Sequence, residues 1–283
     1  MKTIKVGGVP EHFNLPWHLC IENGKFEKED VKVEWKEFPE GTGAMCKSLR
    51  SGEIDAAVIL TEGIIRDIIN GNPSRIIQEY IGSPLIWGIH VDARSHYNNL
   101  QDLEGTKAAI SRMGSGSHLM AYVNAQYRNW DIKDLQFEII NNLEGAIKAL
   151  RQDEAQYFMW EHFTTKPLVD NNTFRLIADC PTPWPCFVIA ASEKCLETKS
   201  DALQTMLHVL NAETRDFKLK KNIDIQLSER YGQKLEDIRK WLDLTRWSQE
   251  QISNEDLESA QNTLATLNLI EEKIDISKLT SNL

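Results

Sequence analysis

The chain has 283 residues, 41% of them hydrophobic, and a formal net charge of −10. That length supports one large domain or two medium ones, and the acidic balance, with no dense Lys/Arg run, excludes a phosphate-tracking nucleic-acid surface. No apolar stretch approaches the ~20 residues of a membrane helix, and five scattered cysteines, Cys20, Cys46, Cys180, Cys186 and Cys195, form neither a Cys-x-x-Cys pair nor an even disulfide framework.

The first half alternates strands and helices. Residues 3–9 read as a strand and 15–23 as a helix, with Gly24 as its stop. Residues 31–38 form the second strand. The turn Pro39-Glu40-Gly41-Thr42-Gly43 leads into a helix over 42–51, which Gly52 ends. Residues 54–60 are a near-continuous apolar run, as a strand covered on both faces requires. Thr61 is expected to cap a helix through Asn70, broken by Gly71-Asn72-Pro73. This order predicts a parallel sheet with right-handed crossovers.

Two more strands follow at 76–80 and 85–91, and then the pattern restarts. Residues 107–111 are a strand, a glycine-serine turn follows, and 115–129 read as a helix. Strands at 137–140 and 156–160 flank a helix at 143–153, another helix follows Thr164, and further strands lie at 174–178 and 187–191. From Asp201 the chain turns helical, over 202–220, 223–231, 235–242 and 254–267. The reading is an α/β protein in which two α/β units, lobe 1 and lobe 2 in chain order, followed by a helical tail, argue two lobes rather than one long sheet. The restart after Val91 and the return strand at 187–191 are where hinge strands between the lobes should fall.

In open parallel sheets ligands sit beyond the carboxyl ends of the strands. In lobe 1 that rule selects Glu11, His12, Phe13 and Asn14, then Gly41 and Thr42, then Thr61 and Glu62. Trp87 lies on the first hinge strand. In lobe 2 it selects Ser111, Arg112, Gly114, Ser115, Gly116, Ser117 and His118, then Trp160 and Glu161. Helix-start N–H groups and Arg112 suit an anion. Glu11, Glu62 and Glu161 suit donors or a cation, and Trp87, Trp160 and Phe13 suit a flat or methylene-rich body. The expected ligand is a small zwitterionic or heteroaromatic metabolite, such as an aminopyrimidine, ahead of a simple oxyanion. The same residues have plainer roles: Ser115, Ser117 and Asn14 fit helix caps, and the tryptophans fit core positions. In the pairs Glu11-His12 and Glu161-His162, neighbours on extended backbone point opposite ways, so neither is a natural chelate. No metal and no cofactor is expected.

Gly41-Thr42-Gly43 before a helix, Ser51-Gly52-Glu53-Ile54-Asp55-Ala56-Ala57, and Gly105-Thr106-Lys107 leading to Gly114-Ser115-Gly116-Ser117-His118 resemble the type II periplasmic-binding-protein family. Within it the chain is most similar to the branch holding sulfonate, taurine and nitrate binding proteins and the NMT1/THI5 thiamine-pyrimidine proteins. Val9-Pro10-Glu11-His12-Phe13, Leu60-Thr61-Glu62-Gly63, residues 158–164 and Thr182-Pro183-Trp184 resemble a small sub-branch found in yeasts and bacteria. The resemblance implies two Rossmann-like lobes, 1–86 with 187–283 as lobe 1 and 87–186 as lobe 2. Two hinge strands near Trp87 and Phe187 would join them, the helical tail would pack on lobe 1, and the lobes would close on a small-molecule ligand, in a monomer without membrane insertion. A leader upstream would imply a periplasmic or lipoprotein-anchored receptor serving an ABC permease; without one, a cytoplasmic relative is implied. The alternative is an enzyme like the thiamine-pyrimidine synthases, which hold pyridoxal phosphate on a lysine and carry a cysteine-rich run. The cysteines here are scattered, which favours a binding protein. A third reading, a sensor or carrier, needs a separate output partner, since no output module is attached.

Overall fold

Strand formation follows the burial pattern in each half of a computed structural model, which describes all 283 residues. The chain divides into two units, Met1–Pro84 with Pro183–Leu283, and Leu85–Thr182. The sequence reading places the cuts at 86/87 and 186/187, two and four residues further along.

In the first unit, lobe 1, the strands are β1 (Lys2–Gly8), β2 (Val31–Glu37), β3 (Ala56–Leu60), β4 (Ser74–Ile81) and β10 (Phe187–Ser192), in the order β2-β1-β3-β10-β4. β2 alternates buried Val31 and Val33 with exposed Lys32 and Glu34, as an edge strand should. β1 runs parallel to β2 and β3, whereas β10 is antiparallel to both β3 and β4. The sheet is therefore mixed, not all parallel. β10 is buried along its whole length and slots between β3 and β4, with Ala190 opposite Ala57 and Ala191 opposite Ala56. A strand covered on both faces reads as the same apolar run in either direction, so its sense is not written in its composition.

The second unit, lobe 2, holds β5 (Ile86–Asp92), β6 (Lys107–Ile110), β7 (Gln136–Ile139), β8 (Tyr157–Glu161) and β9 (Phe174–Pro181), in the order β7-β6-β8-β5-β9. β6 is parallel to β7 and β8, and β5 is antiparallel to β8 and β9. Ala109, Ile140, Ala149, Leu150, Phe158 and Phe174 form its core. The ends of this unit are tied together: Leu85 N–H donates to Thr182 Oγ1 and Thr182 N–H donates to the Leu85 carbonyl, both at 3.0 Å.

The helices are α1 (Leu15–Glu22), α2 (Lys25–Lys28), α3 (Thr42–Ser51), α4 (Thr61–Ile69), α5 (Gly116–Arg128), α6 (Leu143–Arg151), α7 (His162–Asp170), α8 (Glu193–Arg215), α9 (Ile223–Tyr231), α10 (Leu235–Leu244) and α11 (Asn254–Thr266). Gly24 and Gly52, with φ of 59° and 73°, end α1 and α3 in the left-handed region that favours glycine. α8 begins at Glu193 rather than at 202, capped by Ser192, whose hydroxyl accepts from Cys195 N–H at 3.2 Å. Lys199 interrupts it with φ −133°, so the helical period becomes legible only beyond that break.

The tail helices pack on lobe 1: α11 lies against α4, Ser248 N–H donates to the Tyr80 carbonyl at 2.9 Å, and Thr280 bridges Ile76. All five cysteines are free and buried. No helix is long and apolar enough to cross a membrane.

Candidate functional site

In lobe 1, β1 ends in a tight turn, with Glu11 N–H donating to the Val9 carbonyl at 2.8 Å and Asn14 N–H to the Glu11 carbonyl at 3.0 Å. Glu11 stays partly exposed at its rim, while His12, Phe13 and Asn14 form a buried 3-10 turn. The Phe13 carbonyl accepts from Tyr80 Oη at 2.7 Å and from Trp247 Nε1 at 3.4 Å. The His12 ring lies 4.2 Å from Trp241 of α10 and 6.0 Å from Tyr231 of α9. Burial pushes its imidazole down to about 3, so His12 is neutral at physiological pH. Asn14 makes no cap bond to α1; its amide instead donates to the Val9 carbonyl at 2.8 Å.

After β2, Gly41 at φ 77° opens α3, and Thr42 follows it, both partly exposed. The Thr42 methyl occupies the space that a side chain at Gly63 would fill, which joins this turn to the start of α4. Thr61 is not the cap of α4. Leu60 holds that place, and the Thr61 hydroxyl donates to the Pro185 carbonyl at 2.5 Å, tying the helix start to the segment before β10. Glu62, the next residue, is 3% exposed, and its Oε2 accepts from Trp184 Nε1 at 2.9 Å. Burial pushes its carboxyl up to about 7, and hydrogen bonds from its own backbone N–H and from the Trp184 indole only partly oppose this.

In lobe 2, Ser111, Ser115, Ser117 and His118 close one network beyond β6. Ser111 N–H donates to Ser117 Oγ at 3.1 Å, the Ser115 and Ser117 hydroxyls bond each other at 3.1 Å, and His118 N–H donates to Ser115 Oγ at 3.3 Å. Ser115 is thus the N-cap of α5. Gly114, at φ 73°, donates its N–H to His118 Nδ1 at 3.1 Å, which leaves the ring proton on Nε2. The serine hydroxyls are consumed in holding the turn. The N–H groups of Gly116 and Ser117, in the first turn, have no partner within the helix. Arg112 is exposed, and its carbonyl accepts from Ser115 N–H at 3.1 Å.

Trp87 of β5 faces Glu161 of β8 in register. Trp87 is 5% exposed and its indole N–H has no hydrogen-bond partner. Trp160 meets it edge-to-face at 6.4 Å and stacks on Phe158 at 5.5 Å. Glu161 is buried and caps α7, accepting from Thr164 N–H at 2.6 Å. Burial pushes its carboxyl up, and the Thr164 N–H opposes that. α7 accordingly starts at His162, earlier than the sequence reading placed it.

Sequence reasoning missed Tyr231 and Trp241, which wall in His12. Ile238, Trp241 and Leu242 mark a buried helix face, but that period says only that the face is covered, not by what. It also missed His90, buried in β5 with Nε2 2.9 Å from Thr165 Oγ1. Elsewhere the chemistry is quiet. Burial pushes the thiols of Cys20, Cys180 and Cys195 up to about 12, and no group of three His, Cys, Asp or Glu is placed to hold a metal.

Residues 87–180 match the family described as Ca3427-like PBP. The structure superposes on the Candida albicans CA3427 gene product, said to define a family with the generic periplasmic binding protein fold. The TM-score is 0.90 at 26% identity, over 100% of this chain and 98% of that one. The fold is that of a type II periplasmic binding protein. The alkanesulfonate-binding protein SsuA from Xanthomonas axonopodis pv. citri, bound to MOPS, gives a TM-score of 0.81 at 14% identity over 99% and 98% of the two chains. The Escherichia coli aliphatic sulphonate binding protein SsuA gives 0.74 at 18% identity over 99% and 93%. To these two binding proteins the likeness is one of fold. No curated protein matches the sequence. In this binding-protein fold, the loops that carry Glu62 and Ser111–His118 lie at the carboxyl ends of parallel strands, one set in each lobe.

Proposed function

We propose that this chain is a solute-binding protein. It captures a small polar metabolite, zwitterionic or heteroaromatic, between its lobes and closes on it by hinge motion. The observation that best supports this reading is the polarity of the buried carboxyl-edge loops. Glu62, Ser111, Ser117 and His118 are each less than a tenth exposed, at positions where burying polar groups is costly unless they are partnered. The Gly116 and Ser117 N–H groups suit a carboxylate, sulfonate or phosphate. The Trp87 and Trp160 rings suit a flat or methylene-rich body, and the Trp87 indole N–H suits an acceptor on it. A ligand touching both lobes favours the closed form through its differential contacts. In an exported protein the partner for delivery is an ABC permease, engaged by a monomer.

An activity of the thiamine-pyrimidine-synthase kind draws no support from the cysteines, which are dispersed and buried. The test of solute binding is a thermal-shift screen of aminopyrimidines, sulfonates including MOPS, and short carboxylates. A true ligand at one hundred times its Kd stabilises the fold by about 2.7 kcal/mol. A melting curve unmoved by all three classes sinks the reading.

A further inference from the structure

Four acidic side chains are buried in lobe 1, and three of them have a cation. Glu213 sits between Lys25 at 2.5 Å and Lys220 at 3.0 Å, Glu79 lies 3.7 Å from Arg246, and Asp237 lies 3.9 Å from Lys240. Glu62 is the exception. Its one side-chain partner is the neutral Trp184 indole, and no basic side chain forms an ion pair with it. The ionisable groups on the elements packed against α4 are Cys46, Lys47 and Arg50 on α3 and Glu255, Asp256 and Glu258 on α11; β3 and β10 carry none. On α4 itself, Arg66 follows one turn later and Asp67 is engaged by Arg50. None of these compensates Glu62. A buried carboxyl left without a counter-ion, at the carboxyl end of β3, is poised for a charge that arrives from outside.

We propose that the captured solute carries a protonated nitrogen with N–H donors, that this group pairs with Glu62, and that Glu62 gives up its proton when the pair forms. The proposal rests on the solute-binding reading and names the charge that site selects. The step balances simply: a carboxylic acid and an ammonium-type cation become a carboxylate–cation pair, and the released proton passes to solvent. The carboxyl, held near 7 by burial, is about half protonated at neutral pH, and an adjacent cation favours its ionised form. Trp184 Nε1 keeps the carboxyl aimed in either state, since Oε2 accepts in both.

The experiment uses matched probes that differ only at the nitrogen: taurine against isethionate, β-alanine against 3-hydroxypropionate, and 4-amino-2-methylpyrimidine against its 4-hydroxy counterpart. Each is titrated calorimetrically into the wild-type protein and into Glu62→Gln at pH 7, in two buffers of different ionisation heat. The wild type is expected to prefer an amine member. Taurine and β-alanine, already protonated at pH 7, should release about half a proton, whereas the mostly neutral aminopyrimidine takes its proton from Glu62 and releases less. The variant is expected to lose ~10- to 100-fold in affinity for that member and little for its hydroxyl partner. The variant retains an amide oxygen for Trp184, and the buffer dependence of the wild-type heat tests proton release without any variant. Hydroxyl members binding as tightly as amines, or an amine preference that survives Glu62→Gln, overturns the proposal and leaves the solute-binding reading standing. No binding by either member of any pair defeats the solute-binding reading for these classes, and the proposal with it.

Discussion

At the residue scale, Glu62 makes stability depend on pH in a defined sense. Its carboxyl is raised from 4.5 to about 7 in the folded state. Between those values the folded protein holds more protons than the unfolded chain, so the contribution is fully present below 4.5 and is lost as pH rises through about 7. The size is about 3 kcal/mol. Urea unfolding of wild type and Glu62→Gln from pH 4.5 to 8 is expected to show the variant gaining on the wild type across that window. Comparison at equal pH cancels the opposite slope from His12, which is buried neutral. A second expectation concerns Ser115, which caps α5 and bonds Ser117. Ser115→Ala should cost about 1 kcal/mol, read as a lower urea midpoint, and should loosen the Gly116 and Ser117 N–H groups enough to weaken anion binding. Ser115 as a cap was legible because serine followed by a helical period is a local signal. Thr61 carried the same signal and does something else, because its hydroxyl reaches a carbonyl far along the chain at Pro185. Local pattern cannot rank a cap against a distant acceptor.

At the element scale, close approaches set the tolerance to change. A β-carbon at Gly145, early in α6, would press into the Ile140 carbonyl oxygen, a backbone atom that cannot rotate aside. Gly145→Ala is therefore expected to destabilise by about 1–3 kcal/mol despite alanine's higher helix propensity, measured by thermal unfolding. Trp241 of α10 is 1% exposed and packs on His12, Phe13 and Trp247. Trp241→Ala should cost about 3–5 kcal/mol and, by freeing His12, should disturb the turn after β1. Strand and helix order was largely readable from period and turn residues: α3 has the bounds expected, and α5 differs from expectation by one residue at each end. What could not be read was pairing. The antiparallel sense of β10 and β5 depends on where the chain returns, which no window of neighbouring residues records.

At the scale of the whole molecule, the two-lobed architecture was legible because the strand–helix pattern runs, restarts and then gives way to helices. Candidate site residues followed from the carboxyl-end rule, while their partners Tyr231, Trp184 and Trp241 did not, since they come from segments remote in sequence. The proposed closure predicts that saturating ligand lowers the radius of gyration in solution scattering; an unchanged radius with bound ligand argues against hinge motion. A further consequence lies in the tie between Leu85 and Thr182. Everything from Leu85 to Thr182 is one continuous, pinned insert, whereas its host needs β10 and the Thr280 segment before its sheet is complete. On the ribosome the insert can therefore mature before its host, whose strands β1 to β4 must wait, unfinished, for β10 to emerge.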